Sequence, residues 1–164
     1  MRVVIQCVSE ASVSIEGQIY SEIQQGLLVL LGIEHSDAEQ DIEWLSKKIA
    51  NLRIFVDDNN QINKSIIDIK GQLLVVSQFT LHAKTKKGNR PSFIEAARPE
   101  FAKPLYENFI KRLTLDTESQ VLSGKFGANM KVNLCNDGPV TLIIDSKNKE
   151  SVSYTHLTLP TTYH

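Results

Sequence analysis

From Arg2 to Ile15 apolar and polar residues roughly alternate, the two-residue period of a strand with one buried face. Glu16-Gly17 signals a turn, and Gln18 to Ile23 follows as a hairpin partner. After a second turn at Gln25-Gly26, Leu27 to Leu31 is apolar without alternation, as expected of a central strand covered on both faces. Ser36 followed by Glu39 forms a capping-box signature, so the pattern predicts a helix from there to about Asn51. Its buried stripe is Ile42, Leu45, Ile49 and Leu52, with Asp41, Glu43, Lys47 and Lys48 mostly left for solvent. Arg53 to Val56 reads as another strand, stopped by the turn-forming side chains of Asp57 to Asn60.

A second strongly apolar strand, Leu73 to Val76, delivers Ser77-Gln78-Phe79-Thr80-Leu81 at its end, and Lys84 to Arg90 is a basic loop. Ser92 with Glu95 repeats the capping box, predicting a helical segment from about Phe93 to Leu113. Phe101, Leu105, Phe109 and Leu113 recur there at helical spacing, while Pro99 and Pro104 should interrupt or kink it. Met130, Val132 and Leu134 alternate with polar neighbours as an amphipathic strand, Asp137-Gly138-Pro139 turns, and Val140 to Ile144 forms one more strand. No internal repeat is present.

Composition narrows the class. With 164 residues, 41% hydrophobic and 23% charged, the chain reads as one compact domain over residues 1–150. Ser151 to His164 carries neither charge of the Lys, Arg, Asp or Glu type nor a core pattern, and is expected to be a tail that is disordered or added in cloning. A net charge of -1 advertises no nucleic-acid partner, so any RNA contact must come from a local patch. The two cysteines, Cys7 and Cys135, form neither a disulfide framework nor a metal motif, which suits a reducing cytoplasm. No signal-peptide core and no membrane-length apolar run is found.

Ser77, Thr80 and His82 invite a serine-hydrolase reading, but no G-x-S-x-G elbow surrounds Ser77, and residues of one strand end do not supply nucleophile, base and orienting acid together. A strand-end Ser or Thr is more often a hydrogen-bonding turn residue. Cys135 has no activating group placed by sequence and reads as a core cysteine. His35, His82, His156 and His164 lack metal-ligand spacing, so neither metal nor cofactor is expected. Lys84, Lys86, Lys87 and Arg90 form either a phosphate-backbone contact or a solvated loop. Taken alone, Gly138-Pro139 favours an ordinary trans turn, since only about 5–6% of X–Pro bonds in folded proteins are cis.

The ordered set of motifs is more specific than any member. Ser77-Gln78-Phe79-Thr80, Arg90-Pro91-Ser92-Phe93, Phe126-Gly127-Ala128 and Asn136-Asp137-Gly138-Pro139-Val140-Thr141 follow one another as in the D-aminoacyl-tRNA deacylase family, which the chain resembles from Met1 to about Asp145. The resemblance implies an α+β fold in which a curled, largely antiparallel, barrel-like sheet packs with helices. It also implies a homodimer with its active sites at the interface. Ser77, Gln78, Phe79 and Thr80 would line the catalytic pocket for the aminoacylated 3′ adenosine. Gly138 and Pro139, joined by a cis bond, would reach into the partner's pocket, with Phe126 and Ala128 beside the substrate.

A stiff main-chain wedge of that kind excludes an L side chain while admitting a D residue or glycine. The implied reaction is hydrolysis of the ester of D-aminoacyl-tRNA or glycyl-tRNA, a proofreading step of translation. The tRNA 2′-hydroxyl would assist, and backbone N–H groups around Phe79 and Thr80 would stabilise the oxyanion. The chain departs from the family pattern at Cys7, where many relatives carry an arginine that braces the wedge. The rival reading from another class is a non-catalytic RNA-binding domain of the same fold, using Lys84, Lys86, Lys87 and Arg90.

Overall fold

The sheet is assembled on β1 (Arg2–Ile15), whose alternating pattern runs long enough to take partners along both edges. The first half of one edge pairs antiparallel with β3 (Gly26–Gly32), and the second half with β2 (Gln18–Ile23). Along the other edge runs β8 (Lys131–Asp145), antiparallel over nearly the whole length of β1. Beyond β3 lie β6 (Gln72–Ser77) and β7 (Val121–Ser123), both added in parallel. The six-stranded sheet curls until the Ser21 hydroxyl of β2 donates to the Ser123 carbonyl of β7 at 2.5 Å, which nearly closes it. This is the α+β, barrel-like architecture expected. The computed structural model describes residues 1–149, and the expected tail at 151–164 lies outside them.

Continuous apolar runs suit strands with cores on both faces. Leu27, Val29, Leu31, Leu73 and Val75 face the helices, where they meet Ile42, Leu45, Ile49, Phe109 and Leu113. Leu28, Leu74 and Val76 point the other way, into the curl, against Val8, Ala11, Val13 and Ile23. Burying each such side chain is worth about 1.5–3 kcal/mol. Tyr106 adds a polar tie, since its buried hydroxyl lies 3.1 Å from the carbonyls of both Val75 and Gly124.

Several expectations about boundaries are corrected. Helix α1 (Glu39–Asn51) is capped at Ala38, not Ser36, and the reciprocal carboxylate is that of Asp41, which accepts from the Ala38 N–H at 2.8 Å. Asp41 is therefore buried instead of solvated. Helix α2 spans Pro99–Thr117, with Pro99 in its first turn, where the missing N–H costs nothing. Pro104 does not interrupt it.

The Ser92 and Glu95 signature starts no helix. Ser92 forms backbone hydrogen bonds with Lys84, and the Glu95 carboxylate pairs with Lys84 Nζ at 2.5 Å. Arg53 to Val56 shrinks to β4 (Phe55–Val56), which pairs with an unforeseen β5 (Ile62–Lys64). The two strands expected around Asp137-Gly138-Pro139 are one strand, β8, and the intervening residues bulge out of it. Of the cysteines, Cys7 belongs to the core and Cys135 is exposed, the reverse of what was expected for Cys135.

Candidate active site

β3 and β6 run parallel, so both end at the same edge of the sheet, and the cleft opens there. The chain leaves β6 through Gln78, whose N–H still bonds to the Leu31 carbonyl at 2.7 Å, and winds into a single 3₁₀ turn, Phe79–His82. Gly32 permits the turn to sit against β3, since a Cβ there would lie 3.0 Å from Leu81 Cβ and 3.1 Å from the Gln78 carbonyl oxygen. Within the turn the N–H groups of Leu81 and Ala83 bond back to Gln78 and Thr80. Those of Phe79 and Thr80 stand at its open start, where the turn itself provides no acceptor.

The cleft has a volume of about 530 Å³. Val76, Ser77, Gln78 and Phe79 form one wall, Phe93, Ala96, Ala97, Pro99 and Ala102 a second, and Phe126 to Met130 with Val132 a third, with Ile33 between them. Not one of these lining side chains is ionisable. Phe79 and Phe93 stand half out of the protein at the mouth, packed edge to face with centroids 5.2 Å apart. Phe126 is backed by the Tyr106 ring at 5.5 Å. The Gln78 side-chain amide donates to Thr80 Oγ1 at 2.6 Å, which orients both polar groups.

Of the residues expected to act, Ser77, Gln78, Phe79, Phe126 and Ala128 line this cleft together, and Thr80 borders it through Gln78. His82 does not. It is buried, its Nδ1 lies 3.6 Å from Glu34 Oε2, and it lines a separate pocket with Arg2, Lys84 and Lys86. A triad with Ser77 or Thr80 has no geometry here. Lys84 is engaged by Glu95, whereas Lys86, Lys87 and Arg90 are exposed and form no ion pair among the described residues. No group of three or more His, Cys, Asp or Glu is disposed to hold a metal among the described residues.

Gly138 and Pro139 are outside their own chain's cleft, exposed on the bulge of β8. Their peptide bond is cis, as the resemblance implied and the dipeptide alone did not. Cys7 lies beneath the bulge. Burial, followed by the charge of Asp137, pushes its thiol up to about 11, so it is no nucleophile at neutral pH. The wall from Ala96 to Ala102, part loop and part first turn of α2, escaped the sequence reading because small apolar residues carry no chemical signal; only Phe93, in the Arg90-Pro91-Ser92-Phe93 motif, pointed to it.

The family model described as D-Tyr-tRNA(Tyr) deacylase matches residues 4–145. The chain belongs to the D-Tyr-tRNA(Tyr) deacylase family. Members are hydrolases of the ester bond in D-aminoacyl-tRNA, and this chain is one of them. A relative from Flavobacterium johnsoniae named D-aminoacyl-tRNA deacylase is 59% identical over 92% of this chain and 100% of its own length. One of the same name from Bacteroides fragilis is 61% identical over the same shares.

Among solved structures, one named c-Myc DNA Unwinding Element Binding Protein superposes with a TM-score of 0.83 at 40% identity, covering 88% of this chain and 98% of that one. Another, described as a probable eukaryotic D-amino acid tRNA deacylase, has a TM-score of 0.77 at 17% identity, with coverage of 87% and 97%. The second likeness bears on the fold alone. Among the described residues no helix is long and apolar enough to cross a membrane.

Proposed function

We propose that the cleft binds the aminoacylated 3′-terminal adenosine of tRNA in the cytoplasm and hydrolyses D-aminoacyl and glycyl esters while rejecting L-aminoacyl ones. The observation that carries this reading is a cleft of substrate size with no ionisable lining side chain, bordered by the start of a 3₁₀ turn whose first N–H groups, those of Phe79 and Thr80, have no acceptor within the turn. Such a site suits a substrate that brings its own reactivity. The aminoacyl ester is activated, and the neighbouring 2′-hydroxyl of the ribose assists the attacking water. Water adds to the carbonyl carbon, the oxyanion is met by the N–H groups of Phe79 and Thr80, and the 3′-oxygen leaves as the tRNA hydroxyl, taking a proton. The protein's task is orientation and electrostatic stabilisation. Exposed Phe79 and Phe93 offer faces on which an adenine can stack.

Chiral selection in this reading needs a second copy of the chain. Gly138 and Pro139 are too exposed to act on their own cleft, and β8 also leaves Leu134 and Ile143 exposed, 38% and 69% accessible, on a strand available to a partner. In a homodimer each Gly138–Pro139 prong enters the partner's cleft where an L side chain would project. Glycine, with no side chain, escapes rejection.

Incubation with D-tyrosyl-tRNA, L-tyrosyl-tRNA and glycyl-tRNA tests the reading: D-tyrosine and glycine are released and L-tyrosine is retained. Release of L-tyrosine at the D rate, or a protein that is monomeric at assay concentration, rejects it. A tRNA ending in 2′-deoxyadenosine should be a poor substrate, and undiminished turnover removes ribose assistance. The DNA-binding name of the 40% identical neighbour favours one other reading, a nucleic-acid-binding domain without catalysis that uses Lys86, Lys87 and Arg90. Binding of tRNA with no release of any amino acid is the outcome that selects it.

A further inference from the structure

We propose that Asn136 is the positioning residue that sets how the Gly138–Pro139 prong projects, and with it the margin by which L substrates are refused; this rests on the reading of the prong as the stereochemical barrier. Its side-chain amide donates from Nδ2 to the Cys7 carbonyl at 3.0 Å and to the Val140 carbonyl at 3.1 Å. One acceptor lies on β1 and the other on the far side of the prong. A single NH₂ group thus ties both ends of the 136–140 segment together and fastens them to the neighbouring strand.

The clasp occupies the break in the β1–β8 ladder. Gln6 pairs with Thr141 and Val8 with Asn136, so that Asp137, Gly138, Pro139 and Val140 stand opposite Cys7 alone. Residues that bulge in this way lose the ladder hydrogen bonds that would fix their position. The Asn136 amide stands in for them.

A relay fixes the amide in turn. Gln6 Nε2 donates to Thr141 Oγ1 at 3.3 Å, and that hydroxyl donates to Asn136 Oδ1 at 3.4 Å, which directs the NH₂ edge of Asn136 at the carbonyls. Asn136 is half-buried, whereas Asp137, Gly138 and Pro139 are exposed. A barrier that works by excluding volume discriminates only as well as it is held, and a looseness of about 1 Å is enough to compromise a site of this kind.

The test compares wild type with Asn136→Ala, Thr141→Val and Pro139→Ala, reading single-turnover rates on D- and L-tyrosyl-tRNA together with the melting temperature. For Asn136→Ala the D rate should stay within about threefold of wild type while the L rate rises at least about tenfold. Thr141→Val, which leaves the clasp but removes its relay, should shift the ratio in the same direction by about two- to threefold, with the fold intact.

A loss of D and L rates in equal proportion, tracking a lower melting temperature, would mean that Asn136 is merely structural and overturns the proposal. So does an unchanged D-to-L ratio in Asn136→Ala. If Pro139→Ala relaxes the refusal of L and Asn136→Ala does not, the clasp fails while the prong reading stands; if neither relaxes it, both fall. Should Asn136→Ala not fold, an unchanged ratio in folded Thr141→Val overturns the clasp.

Discussion

The cleft at the end of β6 and the polar cluster around Met1 are built from opposite materials. Around Met1, charge is concentrated and buried: the α-ammonium donates to Asp37 Oδ1 at 2.5 Å and to Ser146 Oγ at 3.0 Å, and that hydroxyl donates to Asp41 Oδ1 at 2.7 Å. Lys147 Nζ closes the cluster on Asp37 and Asp41 at 3.2 and 2.9 Å. Two cations face two carboxylates, and every contact joins the start of β1, the start of α1 and the segment after β8. The cleft, by contrast, holds aromatic rings, amides and main-chain N–H groups without a charge among its lining side chains. Paired charges lock distant segments of chain together. Neutral groups fixed by backbone leave room for a charge that develops only during reaction.

The largest expected effect comes from breaking the lock. Asp37→Ala leaves the buried Met1 ammonium with Ser146 alone and should cost about 3 kcal/mol or more, seen as a large drop in denaturation midpoint. Activity per folded molecule should be retained, because among the described residues no side chain lining the cleft is hydrogen-bonded or ion-paired to Asp37.

Acid should act on the same region more gently. Burial raises the Asp41 carboxyl, but hydrogen bonds from Lys147, Ser146 and the Ala38 N–H outweigh it and hold the group down at about 2. A carboxyl held below its unfolded value, about 3.9, contributes stability that is fully present above that pH and is lost as pH falls through the folded value. Urea titrations should therefore show a loss on the order of 1–2 kcal/mol, after allowance for solvent screening, between about pH 4 and pH 2. In Asp41→Asn that share of the acid dependence disappears.

Tyr106→Phe sharpens the boundary between the regions. Removing a hydroxyl that serves the Val75 and Gly124 carbonyls should cost about 1 kcal/mol of stability. Because the ring on which Phe126 packs is kept, kcat/KM should stay within about threefold of wild type, which separates the stability effect from the cleft. Smallest is Thr80→Ala, which removes only the Gln78 acceptor; kcat/KM should change by less than about threefold and stability hardly at all. A collapse to background would restore Thr80 as a nucleophile.

The two regions also differ in how far they were legible. Ser77 to Thr80 could be found because polar residues end an apolar strand, and that position depends on local pattern alone. The Met1 cluster could not, since Asp37, Asp41, Ser146 and Lys147 look like ordinary surface residues until β8 returns beside β1. The same long-range pairing explains the misplaced cap: Ser36 turns its hydroxyl to Glu34 Oε1, and Asp41 takes the capping role while serving the cluster. At Phe93 the helical signature yielded to tertiary pairing, because Lys84 and Ser92 bond to each other and Ala97 donates to Ile33, so that only a single turn, closed by the Ala96 N–H on the Phe93 carbonyl, forms before α2.

By itself, the amino-acid sequence determined β1, β2, β3 and β6 and the bodies of α1 and α2, though neither β5 nor β7, that Leu27–Leu31 and Leu73–Val76 are covered on both faces, and, through the order of its motifs, the family. Period and composition are local properties, so they survive without knowledge of neighbours. Tertiary structure decided what depends on distant segments meeting. It made β8 a single strand that bulges at Gly138–Pro139, it turned His82 toward Glu34 and away from Ser77, and it emptied the cleft of charge. Side-chain direction at those points is set by the partner across the sheet, and the partner of Cys7 lies 129 residues away at Asn136.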